Sequence, residues 1–112
     1  MPQSAATGAT DANTFPALCT HTHLFPGARC RLQGLPDPHA FAADPWSIGV
    51  DLRFSDDAVA DAELRTGGPQ GPVLTVPPHT TGAGTRIGER AWLVREFTRV
   101  GDEVEVKIGG HA

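Results

Sequence analysis

From Ala17 onward apolar and polar positions alternate with a period of two, the signature of strands that bury one face. The cleanest case is WSIGVDLRF, where Ile48, Val50, Leu52 and Phe54 point one way and Ser47, Gly49, Asp51 and Arg53 the other. Ala28, Cys30 and Leu32 alternate with Arg29, Arg31 and Gln33, while Leu18 and Leu24 alternate with Cys19, His21, His23 and Phe25. VLTVP reads as a short strand stopped by Pro77-Pro78. AWLVREFTRV, a tight Gly101-Asp102 turn and EVEVKIG predict a hairpin, with Leu93 and Phe97 on its buried side beside Val104, Val106 and Ile108. In SDDAVADAELRTGG, Ala58, Ala60, Ala62 and Leu64 alternate with Val59, Asp61, Glu63 and Arg65. This predicts a strand paired with its predecessor through the Ser-Asp-Asp turn. The alternative is a short helix capped by Ser55 or Asp56 and ended by Gly67. LPDPHAFAADP, with its three prolines, and HTTGAGTRIGE read as loops.

Six or seven short antiparallel strands and no secure helix predict an all-β fold, a small single-domain β-sandwich or β-barrel. Composition points the same way. Thirteen glycines and ten prolines in 112 residues imply many short elements joined by turns. The chain is long enough for one modest core. With tyrosine absent, that core must rest on Val, Leu, Ile, Ala and the five Phe. Residues 1–16 read as an extended polar N-terminal arm, because MPQSAATGATDANT offers too little apolar surface to order itself, and residues 17–112 as the folded domain.

The formal charge of −4 and the single lysine argue against nucleic-acid binding. Four arginines (Arg86, Arg90, Arg95, Arg99) fall between residues 86 and 99, but Glu89 and Glu96 dilute them, as on a solvated strand face. No stretch approaches the ~20 apolar residues of a membrane-spanning helix, and the N-terminus has neither the basic nor the apolar region of a secretory signal. Two cysteines without a signal lead to the expectation of reduced thiols in the cytoplasm or in a virion.

Candidate chemistry concentrates in CTHTHLFPGARC, residues 19–30. On a continuous strand Cys19, His21, His23 and Phe25 share a face. If Pro26-Gly27 closes a tight hairpin, Cys30 lies opposite His23 and Leu32 opposite His21. His21, His23 and Cys30 would then converge on one ion, and imidazole with thiolate suits zinc, iron or copper. The same register puts Cys19 opposite Gly34, too far from Cys30 for a disulfide. Pro-Gly, however, favours a type II turn whose twist fits a two-residue hairpin poorly, and a wider loop would bring the cysteines closer. Structural residues on a half-buried face remain the plain alternative. The His21-x-His23 pair resembles the first metal-binding motif of the cupins, with Gly34 near the position where that motif ends in glycine. The motif's glutamate is missing, since Gly27 and Ala28 occupy its region, and His79 is the one counterpart to the histidine of the second motif. The resemblance implies a metal held by His21 and His23 with Cys30 or His79.

No catalytic constellation appears. Ser4, Ser47 and Ser55 lie outside any nucleophile-elbow sequence, TTGAGT lacks the Lys of a phosphate-binding loop, and the acids around Asp56-Asp57 lack calcium-loop periodicity. His39 and His111 suggest no role. Three functions follow as expectations. The first is a non-enzymatic structural or assembly protein, such as a phage decoration, head–tail joining or tail component, whose arm gains order against a protein partner or another copy of the chain. The second is a cupin-like metalloprotein. The third is a small ligand-binding barrel lined by residues such as Phe25, Leu52, Phe54 and Trp92, for which a pocket beneath a Trp is the deciding feature.

Overall fold

A computed structural model describes residues 14–35 and 47–112, and these form an all-strand structure built around one closed barrel. The strands are β1 (Thr14–Cys19), β2 (Arg29–Gln33), β3 (Ser47–Arg53), β4 (Val59–Arg65) and β5 (Val73–Val76), then the short β6 (His79–Thr80) and β7 (Arg86–Ile87), and finally β8 (Arg90–Val100) and β9 (Glu103–His111). Around the barrel the order is β9-β2-β1-β3-β4-β5-β8, with β8 pairing β9 to close the ring. β6 and β7 form a separate two-stranded hairpin. Residues 1–13, most of the expected arm, lie outside the described residues. Among the described residues no helix is long and apolar enough to cross a membrane.

The strand reading of residues 59–65 holds. β4 pairs antiparallel with β3, setting Leu52 opposite Ala60 and Val50 opposite Ala62. Phe54 to Ala58 form the connection, a tight turn in which the Asp57 amide donates to the Phe54 carbonyl at 3.0 Å. Asp57 itself is left-handed (φ 67°), a conformation that aspartate tolerates better than most side chains. A helix here would have buried no continuous face, whereas the strand puts Ala58, Ala60, Ala62 and Leu64 into the core. The one departure from an all-antiparallel barrel is β1 with β3, which run parallel from Thr14↔Gly49 to Leu18↔Arg53. β2 and β3 are joined by the long, proline-rich segment 34–46, so they need not be neighbours, and β3 lies on the far side of β1.

The interior is filled by one alternating set of side chains. Leu32, Leu35, Val50, Leu52, Leu64, Val104 and Ile108 are essentially sealed from solvent. The small Ala17, Ala28, Ala58, Ala60 and Ala62 share that interior and leave room for them. On the outer face of β2 and β9, Glu105 pairs with Arg29 (3.0 Å) and Arg31 (3.3 Å). These exposed pairs order the surface more than they stabilise it, at ~0–1 kcal/mol each.

The β8–β9 hairpin forms as expected, but its inward face is different in one half. Phe97 opposes Val106 and packs partly against the core, as predicted, whereas Trp92 and Val94 are buried in place of Leu93. The pairing slips twice. Lys107 pairs with Glu96 and Ile108 with Val94, leaving Arg95 as an extra residue. Gly110 then pairs with Leu93, leaving Gly109 extra on the opposite strand. Each bulge reverses the in–out alternation beyond it. The side chain of Arg95 lies directly over Gly109, where any Cβ would collide with it. Gly109→Ala is therefore expected to destabilise the protein by about 1–3 kcal/mol through overpacking. In thermal melts the Arg95→Ala/Gly109→Ala double variant should recover much of that loss. Equal losses in the single and double variants would show that the contact does not set the cost.

Candidate functional site

The loop from Thr20 to Ala28 departs from the strand expected for it. β1 ends at Cys19, the next four residues bend away, and His21 and His23 are exposed. The type II turn that Pro26-Gly27 favours does form. The Ala28 amide donates to the Phe25 carbonyl at 2.9 Å, and Gly27 takes φ 98°, open to glycine at little cost. This turn is the tip of a wide loop, not of a two-residue hairpin. The register is consequently Cys19↔Cys30 and Ala17↔Leu32, which replaces the expected pairings of His23 with Cys30, His21 with Leu32 and Cys19 with Gly34.

Cys30 thus points into the barrel at 1% exposure, facing Cys19, and both thiols are free. Hydrogen bonding with the Cys19 thiol, followed by burial, pushes the Cys30 thiol far above the ordinary cysteine range. The two histidines turn the other way, onto Phe25. The His21 ring meets Phe25 edge-on at 4.8 Å and the His23 ring lies tilted at 5.4 Å. Their Nδ1 atoms hydrogen-bond the neighbouring Thr20 and Thr22 hydroxyls at 2.9 and 3.2 Å. The structure does not bring His21, His23 and Cys30 together, and among the described residues no three His, Cys, Asp or Glu side chains are grouped to hold a metal.

A different set does converge. Where β3, β5 and β9 finish and β8 begins, the barrel opens onto a cavity of about 230 Å³. Its floor and walls are Leu24, Phe54, Val76, Ile87 and Trp92, and its rim carries His23, His79, Arg90 and His111 beside Gly88. Trp92 opposes Leu74 on one side and His111 on the other, and the His111 ring stacks on the indole at 4.3 Å. The His79 ring lies flat on Phe54, 5.3 Å between centroids and 5° from parallel. Its Nδ1 donates to the Pro77 carbonyl at 3.0 Å, leaving Nε2 available to a ligand. A second recess, about 430 Å³ at the other end of the barrel, is more open and is bordered by Gln33, Gly34, Val100, Asp102 and Glu103. It has no aromatic wall, so the Trp92 cavity is the better binding site.

Of the residues expected to line a ligand pocket, Phe54 and Trp92 do so. Leu52 is buried in the packed interior, and Phe25 packs partly against the core. Arg90, His111 and Ile87 went unrecognised, since they are far apart in sequence and no local pattern marks them. In the sequence His79 stands out only as the second-motif metal ligand that the cupin resemblance implies.

One acid organises the far wall. The Asp56 carboxylate accepts hydrogen bonds from the Gly82 amide at 2.8 Å and the Ala58 amide at 3.1 Å. It thereby ties the β3–β4 turn to the β6–β7 hairpin that carries His79 and Ile87. A Cβ at Gly82 would meet the Asp56 backbone oxygen at 2.5 Å, so glycine is needed for this approach. In the sequence Asp56 reads only as a turn or cap residue, and no local pattern marks this contact.

Comparison with known proteins adds no relationship: no family model, curated protein or solved structure matches the chain.

The Gly82 and Ala58 amides hold the Asp56 carboxyl below the ordinary aspartate range, with a small contribution from His79. Because the folded value is the lower one, the anchoring is complete above the unfolded value and is lost as pH falls through the folded value. The Gly82 amide resonance should titrate with a midpoint below that of an ordinary aspartate. In Asp56→Ala, amide protection should fall across the β6–β7 hairpin while that of Leu52 and Val104 is kept. Unchanged protection at Thr81 and Thr85 would show that Asp56 does not anchor the hairpin.

Proposed function

We propose that the protein is a small ligand-binding barrel whose open end takes a compact molecule with an apolar body and an anionic group. The cavity at Trp92 carries this reading. It is concave, has an aromatic and aliphatic floor, and lies at a barrel mouth with a few polar groups at its edge, the usual arrangement of a binding pocket. Its volume lies above the roughly 150 Å³ that accommodates benzene in a dry protein cavity and below the ~300 Å³ where pockets for drug-sized molecules begin. One ring with a short substituent fits that range.

Charge supplies the second half of the argument. The chain carries a formal −4, yet none of the ten residues around this cavity is acidic, and they include Arg90 and three histidines. Arg90 Nη1 donates to the Glu89 carbonyl at 2.9 Å, and the guanidinium retains further donors for an incoming carboxylate. An aromatic or alicyclic carboxylate satisfies both the floor and the rim. The assembly reading depends on the N-terminal arm, whose residues 1–13 lie outside the described residues, whereas the ligand-binding reading is supported by the cavity itself.

Calorimetry and NMR with benzoate test the proposal. Benzoate should bind and shift the Trp92 indole resonance together with those of His79 and His111, and neutral benzamide should bind more weakly. Arg90→Ala should weaken benzoate binding by about tenfold or more, the value of a charge-assisted hydrogen bond, with little change for benzamide. No saturable shift at these residues with benzoate, cyclohexanecarboxylate or benzamide at millimolar concentration would rule the cavity out as a binding site for this class.

A further inference from the structure

Cys19 and Cys30 lie directly opposite each other on antiparallel strands, and both point into the barrel. The hydrogen bonding around them decides what that position allows. The Thr20 amide donates to the Arg29 carbonyl at 3.3 Å, so Thr20 and Arg29 form the hydrogen-bonded pair and Cys19 and Cys30 the adjacent non-hydrogen-bonded one. In such a pair the Cα atoms are about 4.5 Å apart and the side chains lie closest. That spacing is inside the roughly 4.4–6.8 Å range that disulfides span.

The two positions differ in access. Cys30 is held on both sides, by Cys19 on β1 and by Val106 on β9. Cys19 is the last residue of β1, one beyond the final β1–β3 partners, Leu18 and Arg53, and it is followed by the exposed bend at 20–23. Local opening of that bend uncovers Cys19 first and leaves Cys30 in place behind it.

We propose that Cys19 and Cys30 are a reversible dithiol–disulfide pair, oxidised by low-molecular-weight disulfides such as oxidised glutathione, which staples the base of the 20–28 loop. The Cys19 thiolate attacks one sulfur of the small disulfide, forming a mixed disulfide and releasing one thiolate, which takes up a proton. The Cys30 thiolate then attacks the Cys19 sulfur. This breaks the mixed disulfide, forms the Cys19–Cys30 bond and releases the second small thiol. Two protein thiols are oxidised and one small disulfide is reduced to two thiols. Modification of Cys19 also removes the main group that holds the proton on Cys30, which favours the second step. The staple joins the two ends of the loop that bears His23 and Leu24 of the cavity. The reaction stands independently of any ligand there.

The test uses the full chain, reduced, then incubated with oxidised glutathione, acid-quenched, unfolded and alkylated. Mass spectrometry should find the peptides containing Cys19 and Cys30 joined within one chain, with no glutathione retained and full reversal by dithiothreitol. The oxidised protein should melt higher, by on the order of 10 °C for a loop of this size. Cys30→Ala should accumulate the glutathione adduct at Cys19, whereas Cys19→Ala should leave Cys30 largely unmodified while the protein is folded. The proposal is overturned by a stable adduct in the unaltered protein, by bridges between chains, by thiols that persist through prolonged incubation, or by a lower melting temperature on bridging. Modification of Cys30 in the folded Cys19→Ala variant as fast as that of Cys19 in Cys30→Ala would overturn the proposed order of attack.

Discussion

Much of this barrel depends on two backbone hydrogen bonds at Ile108. Its carbonyl accepts the Gly27 amide at 2.7 Å and its amide donates to the Ala28 carbonyl at 2.8 Å. These bonds extend the β2–β9 ladder past Lys107↔Arg29 and fasten β2 to β9. They also fix the tip of the 20–28 loop, because Gly27 and Ala28 belong to its type II turn. With the tip held on β9 and the Ser55 amide donating to the His21 carbonyl at 3.1 Å, the loop leaves β1 at Cys19 and rejoins β2 at Arg29. The opposition of the cysteines and the outward position of the histidines both follow. A two-residue hairpin through the same Pro-Gly would have reversed this arrangement.

The second constraint lies on the other side of β9, in its ladder with β8. The extra residues Arg95 and Gly109 interrupt the regular alternation of the two longest strands, and each compensates for the other across the ladder. Without them Leu93 would face inward and Trp92 would face solvent. The cavity would lose its indole floor, and His111 would have no ring to stack on. Bulges commonly re-aim a side chain near a functional site, and these turn a hydrophobic strand pair into one wall of a pocket. The opposite wall comes from a hairpin too short to be stable alone. It is held through Asp56 and Gly82 and by the stacking of His79 on Phe54. The end of the barrel that holds the Trp92 cavity is therefore assembled from separate parts of the chain: the 20–28 loop, the β3–β4 turn, the end of β5, the β6–β7 hairpin, the start of β8 and the end of β9.

Period-two alternation by itself determined the class of fold, the strands at 47–53, 59–65, 73–76 and 90–111, and most of the buried set, because one-sided burial leaves a mark at every second residue. The same local signal carried no information about events between strands. It could not place β1 parallel to β3, since parallel neighbours are chosen by the path of a long connection. Nor could it locate the compensating bulges, whose cause is the packing of Arg95 over Gly109 across two strands. Sequence also identified CTHTHLFPGARC as unusual, and the turn preference of Pro-Gly left a wide loop open beside the tight hairpin on which the expected site rested. Which residues of that segment meet was decided by tertiary structure, through hydrogen bonds to Ile108 more than seventy positions away. His23, His79, Arg90, Trp92 and His111 form one rim and floor only because the ring closes. Local pattern sets which face of a strand is buried, and long-range pairing sets which residues become neighbours on it.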